Sequence, residues 1–521
     1  MTRILISAAS VRSQHGILGD SVLIDWGKVV AVGWASELEH LASRHERYPG
    51  AVIVPGLGDA HFHPFGFTGT LTGLTLRGSR SLNDVVEAVV EYASQQSPTA
   101  PVVGNRLDEQ FLAEGRLPTR AELDAVSAPV LLFRVCGHVA SANSAALELA
   151  GIGPDTPDPS GGSFDRDSSG APTGILREKA ITLVSRVLAT GSIGPEQLIA
   201  KMRGLPGLGM TRLGAMVSPG KGLWAGSGDE LGDLLSVAPD LPVPMWVLID
   251  TEKPDVLEQA AQRLSQSTSA QLSFLGVKLF ADGALGGRTA AMREPFSDQE
   301  TLGTLRLSVA DMLPVAERSL ALGGMVAVHA IGDAANHEVM DLMETLIYKG
   351  ADPRDLRIEH ASVLTQPDVE RMADLGILAT VQPAFVASEL GWLEDRLGPE
   401  RTEMTYAIKS LLDAGVRLGG SSDCPVEPPS PLWGMRWARD RAGLGTAQQV
   451  DGGAALGLFT DGVHDALRLP TPFSDGAPAS FTILGDDPVT CEAKAVSDLE
   501  VVATWIDGEA MDVSQPTEWP I

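Results

Sequence analysis

Apolar residues along the chain fall into runs of strand length separated by segments with a helical period, and the order of the two carries most of the fold. Residues 1 to about 50 read as short strands, ILISAASV and then SVLIDWGKVVAVGW, with Gly19-Asp20 and Gly27 as turn signals. ASFTILGDD and VVATWIDGEAM near the C-terminus have the same texture. The ends of a domain commonly lie close together, so the two sets are expected to pair into one small β-sandwich spanning 1–53 and 470–521.

Between the ends, eight apolar runs read as strands: 51–59, 211–217, 242–250, 271–282, 324–330, 355–361, 377–384 and 416–423. From the second onward, most are separated by helical patterns such as KPDVLEQAAQRLSQ, SVADMLPVAERSLALG and TQPDVERMADLG. The last two start at Ser or Thr and end at Gly, as capping chemistry predicts. Repeated β-α units imply a parallel sheet, and eight imply an α/β protein closed into a TIM-like (β/α)8 barrel over 54–70 and 206–469. A doubly wound open sheet would carry a glycine-rich phosphate turn after an early strand, and the sequence has none.

The first two of these strands are too far apart for one crossover helix. Residues 71–205 hold the strands APVVGN and PVLLFRVCG, the helix SANSAALELA and the loop PDTPDPSGGSFDRDSSGAPTG. They are expected to form an inserted α/β subdomain over the C-terminal ends of the barrel strands, where it would shape the substrate site.

The run AVIVPGLGDAHFHP ends in His61 and His63, one residue apart. Residues i and i+2 of a strand point the same way, so a strand over 51–59 would aim both rings at one point. Other predicted strand ends offer Lys278, His329, His360 and Asp423. Each has a bland reading alone: a satisfied core histidine, a lysine reaching a carboxylate, a helix cap before CPVEPPSPLWGM. Four of the ten histidines nonetheless fall at these ends, where random scatter would put about one, and the ends of barrel strands are where active sites are built.

Composition narrows the setting. With 521 residues and 44% hydrophobic content the chain can bury a large core, as one large domain with appendages or as two to three domains. A net charge of −28 and a pI near 4.7 argue against nucleic acid and anionic membrane as partners, and a solubility role accounts for the excess acid. Cys136, Cys424 and Cys491 are scattered and odd in number, so neither a disulfide framework nor a Cys-x-x-Cys motif is present, and a cytoplasmic location is expected. The N-terminal apolar run is too short for a signal peptide, and no apolar run reaches the roughly 18 residues of a membrane span.

The segments PGLGDAHFHP, GVKLFADGALGGRTAAM, VAVHAIGDAANHEV, RIEHAS and GGSSDCPVEPPSPLWGM resemble the metal-dependent amidohydrolase superfamily. RLPTRAELDAVSAPVLLFRVCGHVASANSAAL and DGVHDALRLPTPFSDGAPASFTILGDDP are similar to amidohydrolase family 3, the branch that includes N-substituted formamide deformylases. The resemblance implies that His61, His63, His329, His360 and Asp423 bind metal and that Lys278 is carbamylated to bridge two ions. Imidazole and carboxylate suit zinc, and manganese, iron or cobalt fit the same set. The chain departs from the family pattern at Leu107, where relatives carry Trp before the acidic pair Asp108-Glu109, and in GMTRLGAMVSPG, which lacks an Asp common at the end of the second strand.

These features predict hydrolysis of a C–N bond in a small non-peptide amide or formamide by a metal-activated hydroxide, with Asp423 as ligand and proton shuttle. Ester, lactone or phosphoester hydrolysis and decarboxylation are alternatives on the same site, and a non-catalytic metal-binding scaffold is a third. Four residues are candidates for substrate contact. His138 and Asn143 would hold a carbonyl, His138 having the alternative of a backbone partner inside the insert. Trp392 would be a hydrophobic wall or a loop anchor. Arg288 would pin a substrate anion, or pair with Asp282 or another acid. A homo-oligomer is compatible with the sequence.

Overall fold

The computed structural model describes residues 3–188, 193–220, 228–515, 517 and 519. Its centre is a barrel of eight parallel strands: β1 (Leu57–Phe62), β2 (Met210–Val217), β3 (Met245–Asp250), β4 (Leu272–Phe280), β5 (Met325–Ala330), β6 (Leu356–His360), β7 (Leu378–Val381) and β8 (Arg417–Gly420), hydrogen-bonded in that order. Helices on one side and barrel filling on the other bury these strands on both faces, as in β2, where all eight residues are buried. That is why they read as continuous apolar runs and not as alternations. Helices Val309–Ala321 and Gln366–Leu375 open with capping boxes, Ser308 with Asp311 and Thr365 with Asp368. The second ends at Gly376 in the left-handed region, φ 69°.

The barrel closes beyond the end of β8. The Asp423 N–H donates to the His61 carbonyl and the His63 N–H to the Cys424 carbonyl, both at 3.0 Å. The buried Asp59 carboxylate accepts from the Ser422 N–H at 3.1 Å and from the Ser422 hydroxyl. Backbone hydrogen bonds therefore tie His61, His63 and Asp423 together.

Two expectations need correction. The run 51–59 is two strands in two sheets: Val52–Pro55 pairs with Ile4–Ser13 and Phe481–Leu484, and β1 starts only at Leu57. The boundary expected after residue 53 falls inside the first of these. Gly56 makes the crossing, because a Cβ there would lie 2.3 Å from Thr211 Oγ1 and 3.0 Å from the Ser480 carbonyl oxygen. At the other end, β8 stops at Gly420, so Asp423 sits in the following loop with φ 53°, not on the strand.

The chain ends share one eight-stranded sheet, in which Ile4–Ser13 carries Arg44–Arg47 along its first half and Val52–Pro55 along its second. A six-stranded sheet lies between β1 and β2 in sequence. Its parallel half (Leu74–Thr75, Val102–Leu107, Val130–Arg134) continues into antiparallel strands Val139–Ala142, Pro172–Glu178 and Gly162–Arg166. No described helix is long and apolar enough to cross a membrane.

Candidate metal centre

The strand ends bring their polar side chains to one place. His61, His360 and Asp423 present ligand atoms within 4.8 Å of one another. Asp423 Oδ1 lies 3.2 Å from His61 Nε2 and 3.1 Å from His63 Nε2. The His329 ring stacks edge-on to His360 with centroids 4.5 Å apart.

The partners of the other ring nitrogens set the tautomers. A carboxylate or carbonyl oxygen only accepts, so the nitrogen facing it carries the proton and its twin keeps the lone pair. His61 Nδ1 donates to Glu359 Oε2 at 2.7 Å, His360 Nδ1 to Gln382 Oε1 at 2.8 Å, and His329 Nε2 to the Gly283 carbonyl at 2.9 Å. Gln382 is itself oriented by donating to Ser421 Oγ at 2.8 Å. Burial pushes His63 down to about 4, His360 to about 3 and His329 well below the usual imidazole value. His61 differs: burial and Lys278 push it down, but with a carboxylate at each ring nitrogen, Asp423 at Nε2 and Glu359 at Nδ1, it ends above the ordinary value, so the rings held neutral are His63, His329 and His360, and a neutral ring is what a cation requires. Burial opposes ionisation of Asp423, yet the neighbouring His61, His63 and His360 hold its carboxyl well below the ordinary range.

Lys278 completes the set. It is fully buried, and its Nζ has no hydrogen-bond partner among the described residues. It lies 4.1 Å from the centroid of the Phe280 ring. Burial pushes it down to about 8 against the pull of Glu359, Asp423 and Asp250, the last being its register partner on β3. An unpartnered buried amine among imidazoles and a carboxylate fits poorly with a plain structural lysine.

A model described as "Amidohydrolase family" matches residues 49–511 of the chain. The chain belongs to the amidohydrolase family. The putative amidohydrolase YtcJ of Bacillus subtilis (strain 168) is 31% identical over 492 residues, covering 88% of this chain and 89% of the relative. The N-substituted formamide deformylase of Arthrobacter pascens is 29% identical over 539 residues, 98% of each chain. Among solved structures, an uncharacterized metal-dependent hydrolase from Pyrococcus horikoshii OT3 superposes with a TM-score of 0.74 at 27% identity, covering 95% of this chain and 99% of that one. The protein is a metal-dependent amidohydrolase.

In this amidohydrolase a cleft of about 720 Å³ opens over the centre, lined by His61, His63, Lys278, His329, His360 and Asp423. His138 also lines it, its ring 5.1 Å from that of His329. His138 Nδ1 pairs with Glu178 Oε2 at 3.0 Å, which makes Nε2 an acceptor in the neutral ring and a donor in the protonated one. Trp392 is buried and walls a smaller adjoining cavity.

The other two substrate candidates are brought elsewhere. Asn143 is fully buried as the N-cap of the helix Ser144–Leu149; its Oδ1 accepts from Val130 N–H and Ala146 N–H, and its Nδ2 donates to the Val126 and Ala128 carbonyls. All four side-chain positions are used, which leaves nothing for a substrate. Arg288 forms a two-pronged pair with Asp298, at 3.1 and 2.7 Å. Asp282, the other acid considered for it, accepts backbone N–H groups of Ala291, Ile331 and Gly332 instead.

The sequence reading passed over the residues that hold these side chains in place. Glu359 is fully buried, accepting from His61, from Arg357 Nε at 2.6 Å and from the Thr380 hydroxyl. Arg357 spans the barrel to donate to the Ala60 and Ala466 carbonyls. The signal was present as Arg357-x-Glu359, two opposite charges on one face of an apolar strand, which only a buried network explains. Glu178, which accepts from both His138 and Arg306, gave no such signal. The acidic pair Asp108-Glu109 serves Arg134, with contacts of 3.1 and 2.8 Å.

Proposed function

We propose that the enzyme hydrolyses the C–N bond of a small non-peptide amide or formamide, with two divalent ions, zinc by preference, held by His61, His63, His329, His360, Asp423 and a carbamylated Lys278. The observation that carries this reading is Asp423 Oδ1 standing 3.2 and 3.1 Å from two strand-end imidazoles at the floor of a cleft of about 720 Å³. Lysine carbamylation consumes carbon dioxide, releases a proton and turns an unpartnered amine into a two-armed anion. The depressed Lys278 favours it by keeping part of the amine neutral near neutral pH.

Divalent ions held by these residues would supply a water of lowered pKa, from about 15.7 toward about 7, and Lewis acidity toward a carbonyl oxygen. The chain's own residues do the rest. Asp423 takes the proton of the attacking water and returns it to the leaving nitrogen. His138, fixed by Glu178, receives the substrate N–H at Nε2 and turns the nitrogen toward Asp423. Trp392 closes the wall beside the scissile carbonyl. The three unpaired cysteines suit a reducing cytoplasm.

The test is a screen of metal-reconstituted protein against N-formyl, N-acetyl, cyclic ureide and ester compounds. Turnover of amides with release of the amine is expected. Activity confined to esters would overturn the C–N assignment. An intact mass recorded under native conditions should show the carbamate on Lys278, and a bare amine at full metal loading would remove it from the ligand set.

A further inference from the structure

A second cavity, of about 40 Å³, adjoins the metal centre and shares Cys136, His138, His329 and Asp423 with the lining of the large cleft. Its remaining walls include Leu285, Phe385 and Tyr406, all buried, and Trp392. On a scale where one water takes about 10–15 Å³, the space holds about three non-hydrogen atoms.

The wall is mixed, with Asp108, Arg134, Ser388 and Glu389 beside the apolar side chains, and among its described residues only one buried side-chain nitrogen or oxygen lacks a hydrogen-bond partner. Tyr406 donates its hydroxyl to Glu389 at 2.5 Å, and Ser388 donates to the Phe385 carbonyl at 3.2 Å. Arg134 is spent on Asp108 and Glu109. Trp392 is only 9% exposed, Arg396 lies 4.9 Å from its ring centroid, and its buried indole N–H has no acceptor among the described residues. Buried donors are nearly always satisfied, so one left open beside a reaction centre points to an acceptor that arrives with a ligand.

We infer that this cavity is the acyl subsite: it takes the substituent on the carbonyl side of the scissile bond, up to about three non-hydrogen atoms, and prefers one whose oxygen accepts the Trp392 N–H. The assignment of sides rests on the amide-hydrolysis reading above. The leaving amine must meet Asp423 and depart, which suits the cleft of about 720 Å³, whereas the acyl group stays at the wall the two cavities share. The specificity is then lopsided, with a broad amine side and a narrow acyl side.

The test uses p-nitroanilides of propionic, glycolic and hexanoic acids, one amine with three acyl groups, on the metal-loaded enzyme. Glycolyl and propionyl have the same size, so their ratio reads the hydrogen bond, while hexanoyl reads the volume. We expect kcat/KM for propionyl to exceed hexanoyl by about 100-fold, and glycolyl to exceed propionyl by about tenfold. Trp392→Phe should bring the glycolyl-to-propionyl ratio to about one, and Leu285→Ala should raise hexanoyl turnover selectively; metal content and melting temperature check that both variants fold. Calorimetric titration of glycolate, propionate and hexanoate should give the same order of affinity, with the same loss in Trp392→Phe. Equal rates for hexanoyl and propionyl would overturn the subsite and leave the amide reading standing. Binding of glycolate that depends on Trp392, without turnover of any anilide, would uphold the subsite and overturn the amide reading.

Discussion

The two walls of the cleft are held by different means. On the barrel side, sheet register places the clustered histidines and backbone hydrogen bonds fasten the rest: Asp423 to His61, and His63 to Cys424. Behind His61 stands the fully buried pair of Arg357 and Glu359. On the insert side one carboxylate does the holding. Glu178, at φ 52°, takes both His138 and Arg306, whose side chains remain partly exposed. A wall fixed by a sheet sets the chemistry of the centre, and a wall hung on a single strained residue sets what can be presented to it. Substitutions on the barrel side should therefore strike kcat and metal affinity, and those on the insert side KM.

Asp423→Asn should show the largest effect. The amide keeps the size and one oxygen for a metal but cannot carry a proton at neutral pH. We expect metal content and melting temperature to stay near the parent while kcat falls by roughly 10² to 10⁴, the usual worth of general acid-base catalysis. Near-parental kcat with metal bound would reduce Asp423 to a ligand and move the shuttle to the insert wall, breaking the comparison.

Glu359→Gln comes next and probes the barrel wall one layer deeper. The amide can still accept from His61, but it leaves the buried Arg357 guanidinium without its counter-charge, at a cost of about 3–5 kcal/mol in unfolding free energy. Loss of the carboxylate behind a histidine ligand should also weaken metal binding by about 10- to 100-fold in chelator competition. Unchanged metal affinity in a folded Glu359→Gln protein would mean that register alone positions His61.

The same contrast explains what could be read without coordinates. His61 and His63 were legible because two residues is the repeat of a strand, and His329 and His360 because each closes an apolar run. The break at Gly56 was not, since strands buried on both faces look alike whichever sheet they join. Asp423 was legible as a member of the cluster but not as a loop residue: small residues after β8 extend the look of the strand past Gly420. On the insert side no period helps. Asn143 and Arg288 sit beside motif residues in sequence yet are spent on a helix cap and on Asp298, while Glu178 gains its role only when the chain folds it against His138.

Glu178→Gln tests the insert wall directly. The neutral amide weakens its hold on His138 and Arg306 together, and a hydrogen bond to a charged group is worth about 1.5–3 kcal/mol. KM should rise by about tenfold with metal stoichiometry unchanged and kcat within about threefold of the parent. A fall in kcat with KM untouched would place His138 in the chemical step and not in presentation.

Asn143→Ala should have the smallest catalytic effect and so sharpens the comparison most finely. Asn143 lies in the same insert, one strand away from His138, and sequence reasoning gave both a substrate role. Its side chain caps a helix and satisfies two backbone N–H groups and two carbonyls, three of these contacts buried and the one to Val126 part-buried. Alanine removes the cap, at a cost of about 0.5–2 kcal/mol, and strands at least one buried backbone group, at a cost of about 1–3 kcal/mol more. Unfolding of the variant should therefore begin at lower denaturant concentration, with the loss in the range of about 2–4 kcal/mol if the insert and barrel unfold as one unit. Because nothing on Asn143 faces the cleft, KM and kcat of the folded fraction should match the parent for every substrate. A KM that rose for the folded variant, at full metal loading, would show that strain in the insert core reaches His138, and the insert wall would then be set by its whole fold and not by Glu178 alone.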